Sequence, residues 1–134
     1  METLKEFIST WKDTPTKTKL AFTELYEYLK TLEDITLTFN ARPKVSFSLR
    51  PRHNSQKNRS LFAMVDVIDD DPEERWLSVC FYKEMITDPD NAGELIPEGL
   101  MEEDGYCFDL YEYDPDEIIY LKQRLFQAYE NAKE

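Results

Sequence analysis

Hydrophobic residues near both ends of the chain recur at the three- and four-residue spacing of an amphipathic helix. Charged residues fill the positions between them, as expected for helices with one buried side. The pattern predicts a first helix that ends near Asp13, a second over residues 15–33, and a last over residues 115–132.

Residues that typically begin helices precede the second and the last of these segments. Thr14 is followed by Pro15, and Asp114 is followed by Pro115. A threonine or aspartate cap with proline at the first helical position favours a helix start. Proline suits this position because it has no backbone N–H, and the N–H of any other residue would be left unpaired there.

Between the helices the hydrophobic period changes to two, which is typical of half-buried strands. Residues 50–60 contain proline, asparagine and serine and predict a loop, and residues 88–105 predict a long loop with at most one helical turn. Five strands are predicted, at about residues 35–39, 45–49, 61–68, 76–82 and 106–113.

The order of two helices, five strands and a final helix predicts an α+β fold with a five-stranded, mainly antiparallel sheet. Neither a repeat nor a domain boundary appears, so residues 1–134 are predicted to form a single domain. The helices are expected to cover one face of the sheet.

Composition favours a folded protein of the cytoplasm that needs no cofactor. Apolar residues make up 41% of the chain, and no apolar run is long enough to span a membrane. The amino terminus also lacks the apolar core of a signal peptide. Because Cys80 and Cys107 lack the C-x-x-C spacing of zinc and redox sites, they are predicted to be reduced thiols.

The net charge of −12 repels phosphate groups, so the protein surface as a whole is not expected to bind nucleic acid. Between Asp34 and Asp66, however, there is no acidic residue. This basic segment either binds an anion, such as single-stranded nucleic acid, or pairs with the acidic turns of the same chain. Its candidate anion-binding residues are Arg42, Lys44, Arg50, Arg52, His53, Lys57 and Arg59.

No residues are assigned to catalysis or to a metal. His53 is the only histidine, so any site that needs an imidazole group would have to use it. It is predicted to lie exposed in a loop. The acidic turn at residues 69–74 and the segment from Asp88 lack the ligand spacing of a calcium loop. Three glycines are too few for a phosphate-binding loop.

The fourth and fifth predicted strands carry apolar side chains on both faces. Either the sheet is covered on both sides, or one aromatic surface stays open for a partner or ligand. One face carries Leu77, Val79, Phe81, Phe108 and Leu110, and the other carries Trp76, Tyr82, Tyr111 and Tyr113 together with Cys80 and Cys107.

Segments 86–89, 105–110, 114–117 and 127–130 resemble an uncharacterised family of small bacterial α+β domains. Some members are labelled predicted transport proteins, and others are attached to nucleases. This chain has Glu-Glu-Asp at residues 102–104, where members often have Gly-His-Trp. The resemblance implies the fold but assigns no site residue.

The sequence therefore predicts a non-enzymatic protein-interaction module that binds another protein or a second copy of itself. Two alternatives stay open. One is a small ligand-binding protein or enzyme with a pocket between sheet and helices, lined by Tyr82, Tyr111 and Tyr113. The other is an anion- or single-strand-binding protein that uses residues 42–59.

Overall fold

The computed structural model describes residues 3–134 and confirms the α+β class. A short 3₁₀ turn at Lys83–Met85 follows the fourth strand. The elements in chain order are α1 (Leu4–Thr10), α2 (Thr18–Lys30), β1 (Ile35–Arg42), β2 (Ser46–His53), β3 (Met64–Ile68), β4 (Trp76–Tyr82), β5 (Glu94–Leu100), β6 (Glu103–Leu110) and α3 (Pro115–Ala132).

The sheet has six antiparallel strands in the order β1-β2-β3-β4-β6-β5, so the prediction of five strands is wrong by one. The additional strand, β5, lies where a long loop was predicted. It contains Pro97 and Gly99, which are loop signals in a sequence but are tolerated at the edge of a sheet. Its pairing with β6 shifts register between Ile96 and Leu100.

The second helix begins later than its sequence predicts. Residues 15 and 16 form a turn, and α2 starts at Thr18 after Lys17, whose φ is 57°. The predicted start of the last helix is confirmed, because the Asp114 carboxylate accepts a hydrogen bond from the backbone N–H of Asp116 at 2.9 Å.

All three helices pack on one face of the sheet. The ring of Phe7 in α1 stacks on Phe47 of β2 with centroids 4.1 Å apart, and Tyr120 of α3 contacts Phe108 of β6. In residues 3–134 no helix packs on the opposite, helix-free face. Across β2, β3 and β4, that face carries Ser46, Ser48, Arg50, Arg52, Met64, Asp66, Ile68, Trp76, Ser78, Cys80 and Tyr82.

The prediction of reduced thiols is wrong. Cys80 of β4 lies directly opposite Cys107 of β6, with the Cα atoms 4.2 Å apart, and a disulfide joins the two residues. Their separation of 27 residues gives no sign of this pairing. The two cysteines become neighbours because the register of β4 with β6 places them opposite each other.

The described helices include none with the length and apolar character required to cross a bilayer.

Candidate functional site

Three arginines of the predicted basic segment lie on the helix-free face. Arg42 of β1 lies opposite Ser46, whereas Arg50 and Arg52 of β2 lie opposite Thr38 and Thr36. Directly opposed residues of an antiparallel pair share a face, as do residues two apart along a strand. The arginine face is defined by Arg42, Arg50 and Arg52.

The guanidinium groups of the arginine face bond to neutral oxygens. Arg50 Nε donates to Ser48 Oγ at 3.0 Å, and Arg42 donates to Ser46 Oγ at 3.3 Å. Arg52 donates to the carbonyl of Gln56 at 2.5 Å. Within residues 3–134 none of these arginines has a carboxylate within 4.0 Å. Donors therefore remain for an external anion.

Asp66 is the acidic group closest in register to the arginine face. It lies in β3 opposite Ser48 and is half-buried. Burial raises the pKa of its carboxyl group, while the hydrogen bond from Ser48 and the charges of Arg50 and Arg42 act in the opposite direction. Within the described chain its Oδ1 has no hydrogen-bond partner. Its charge lowers the positive potential of the arginine face.

The remaining cations of the basic segment lie elsewhere. Lys44 lies in the turn between β1 and β2, and Lys57 is exposed in the loop after β2. Arg59 forms ion pairs with Glu84 and Glu103 and is therefore occupied within the fold.

The prediction that His53 is exposed in a loop is wrong. The β2 strand continues to His53, whose side chain is 7% exposed and lies beside the ring of Tyr129. The backbone N–H of Ser55 donates to its Nδ1 at 3.1 Å. Pro51 suggested a loop, but its carbonyl accepts from the amide of Phe62, so the strand passes through it.

The four aromatic candidates do not form one surface. Tyr82 is only 1% exposed, because the guanidinium of Arg59 covers its ring. Trp76 and Tyr111 stack at the opposite end of β4 with centroids 4.9 Å apart, and Tyr111 is 62% exposed. Tyr113 is half-buried, and its amide donates to the carbonyl of Thr16.

A cavity of about 190 Å³ lies between β6 and the start of α3. Phe108, Leu110 and Leu121 form its apolar walls, and Asp90, Asp116 and Glu117 supply carboxylates. Typical pockets for small molecules are larger, at about 300–1,000 Å³. Tyr82, Tyr111 and Tyr113, which the sequence predicts to line a pocket, do not line this one. Tyr111 and Trp76 line a separate cavity of about 410 Å³, together with Asp70, Asp71 and Arg75.

No group of three or more histidine, cysteine or acidic side chains in residues 3–134 is arranged to hold a metal ion.

No protein-family model, curated protein or solved structure matches this chain.

Proposed function

We propose that this domain is a non-enzymatic protein-interaction module that binds an acidic protein segment on the arginine face. One observation carries the proposal: Arg42, Arg50 and Arg52 share a face and have no carboxylate in contact, in a chain with 28 acidic residues. Within residues 3–134 four cations, Lys30, Arg59, Arg75 and Lys133, do pair with carboxylates.

Carboxylate partners suit the arginine face because a guanidinium group binds a carboxylate through two parallel hydrogen bonds. The hydroxyl groups of Ser46 and Ser48 hold Arg42 and Arg50 in place, which reduces the entropy lost on binding. An acidic segment would replace the water around these guanidinium groups with charge-assisted hydrogen bonds.

Single-stranded nucleic acid is a poorer candidate than an acidic protein. The net charge of −12 repels both kinds of partner, but it repels a continuous phosphate backbone more strongly than a short segment with a few carboxylates. Proteins that bind single strands also stack bases on aromatic side chains. Phe39 and Phe47, the aromatic residues closest to the arginines in sequence, contact Phe7 on the helix side of the sheet.

The experiment uses a fluorescein-labelled peptide of alternating glutamate and valine, eight residues long to match β1. Fluorescence anisotropy gives its Kd for the native protein and for a variant with Arg42→Gln, Arg50→Gln and Arg52→Gln. We expect the triple substitution to weaken binding about tenfold or more, since it removes charge-assisted hydrogen bonds.

A matched control removes three other exposed cations through Lys5→Gln, Lys12→Gln and Lys83→Gln. This variant has the same net charge as the arginine variant, so it should bind more tightly than that variant does. Equal affinities of the two variants would refute the arginine face as the binding site. A labelled single-stranded oligonucleotide that binds more tightly than the peptide would favour the anion-binding alternative.

A further inference from the structure

The β1 strand forms one edge of the sheet and leaves one side of its backbone unpaired. All eight of its residues pair with β2 in continuous register. In the described part of the chain, no hydrogen bond reaches the other side of this strand. An edge of this kind can accept a further strand.

The pairing of β1 with β2 determines which backbone groups point outward. Leu37 lies opposite Pro51, which has no N–H and whose carbonyl bonds to the amide of Phe62 beyond β2. One register step before β1, the Asn54 amide donates to the Asp34 carbonyl at 2.8 Å. Since antiparallel pairs alternate between bonded and non-bonded, the outward groups belong to Ile35, Leu37, Phe39 and Ala41.

The side chains along this edge have a different character on the two faces of the sheet. Ile35, Leu37 and Phe39 are half-buried on the helix side, where they contact the core. On the other face, Thr36, Thr38, Asn40 and Arg42 are exposed, and β2 places Arg50 and Arg52 beside them. A strand added here would lie between an apolar side and a basic side.

The two edges of the sheet differ in how they are protected from pairing. Strand β5 contains Pro97 and the acidic residues Glu94 and Glu98, and its register shift interrupts the ladder. Such features prevent edge-to-edge pairing in native proteins. Strand β1 contains no proline, lysine or bulge. Its open edge is therefore the one suited to a partner.

We propose that β1 binds an extended segment of a partner protein by strand addition, and that apolar residues alternate with aspartate or glutamate in this segment. This inference rests on the proposed function and adds the binding mode. Backbone hydrogen bonds to Ile35, Leu37, Phe39 and Ala41 supply affinity, and the alternating side chains supply specificity.

A second copy of the chain fits this edge less well than an acidic segment. Two copies would bring together net charges of −12. If the copies joined edge to edge through β1, their arginine faces would also become neighbours and repel each other. An acidic segment instead places carboxylates beside Arg42 and Arg50.

Two N-methylated forms of the glutamate–valine peptide test strand addition. One carries methyl groups on the valine amides and the other on the glutamate amides. Because all alternate amides of an added strand face β1, one form loses its hydrogen bonds to β1 and the other keeps them. We expect their Kd values to differ by about tenfold or more. Equal Kd values would overturn the proposal.

The outcomes of this experiment separate the inference from the proposed function. If the arginine substitutions weaken binding while both methylated peptides bind equally, the arginine face is correct and strand addition is wrong. If the methylated peptides differ but the arginine substitutions have no effect, the acidic character of the partner is wrong. Sedimentation velocity that shows a dimer of the protein alone, which the peptide dissociates, would overturn the choice of occupant.

Discussion

The guanidinium group of Arg59 lies over the ring of Tyr82, 4.0 Å from its centroid. Arg59 also donates hydrogen bonds to Glu103 and Glu84, and these bonds, chiefly the one to Glu103, raise its pKa. This contact buries Tyr82 and removes Arg59 from the set of cations open to a partner. Within the basic segment, Arg59 therefore stabilises the fold, whereas the arginine face is left to bind a partner.

Replacing Arg59 with glutamine should lower the free energy of unfolding by about 1–2 kcal/mol, because a partly buried cation–π contact and two ion pairs are lost. Urea denaturation measures the change. Lys83→Gln serves as the control, since Lys83 is exposed and forms no ion pair within the described chain. A stability equal to that of the control would show that the contact contributes nothing.

The Cys80–Cys107 disulfide should stabilise the protein by about 3–4 kcal/mol, as expected when a loop of 27 residues is closed. Urea denaturation with and without a dithiol reductant measures this difference. In a Cys80→Ala and Cys107→Ala double variant the reductant should have no effect. Rapid alkylation of either cysteine in the native, unreduced protein would contradict the disulfide.

Asp114→Ala should cost about 0.5–2 kcal/mol, because the substitution removes the side chain that caps α3. The melting temperature reports the loss. Asp70→Ala, at an exposed turn position, should change it little. If both variants melt at the native temperature, the cap does not stabilise the helix.

Asp66→Asn should stabilise the protein at neutral pH. Burial raises the pKa of Asp66 above its ordinary value of 3.8, so ionisation of the carboxyl group opposes folding. This cost is absent below pH 3.8 and develops as the pH rises through the raised pKa. The gain measured by denaturation at neutral pH should therefore disappear in acid. A gain that persists in acid would have another origin.

The same substitution should tighten binding of the acidic peptide, because it removes a negative charge beside Arg42 and Arg50. We expect a decrease in Kd of about two- to fivefold at low salt, and a smaller decrease at high salt. The control is Asp109→Asn, an exposed acid two strands away from Asp66 on the same face. An equal effect of both substitutions would indicate only a change in net charge.

Periodicity in the sequence is sufficient to predict the fold class, β4 and α3, because their apolar positions follow one clear period. It fails for β5 and for the end of β2, where Pro97 and Pro51 favour loops. Proline is compatible with a strand wherever its missing N–H is not needed for pairing. Such positions depend on which neighbours a strand has, and a single sequence does not show this.

The candidate site was predicted only in part. The basic segment includes Arg42, Arg50 and Arg52, but its spacing does not distinguish them from Arg59, which the fold uses internally. The position of Asp66 beside the arginines depends on the register of β2 with β3, and the open edge of β1 depends on the strand order. Neither can be read from the sequence. One signal is present in the sequence: Arg50 and Arg52 are two residues apart, and this spacing puts both side chains on the same face if the segment is a strand.

The most direct measurement of the central claim is a titration of isotope-labelled protein with the glutamate–valine peptide, followed by amide chemical shifts. The largest shifts should map to β1 and β2, with the amides of Leu37 and Phe39 among them, and should diminish in the Arg42→Gln, Arg50→Gln, Arg52→Gln variant. Shifts centred on Trp76 and Tyr111, or none at all, would contradict the claim.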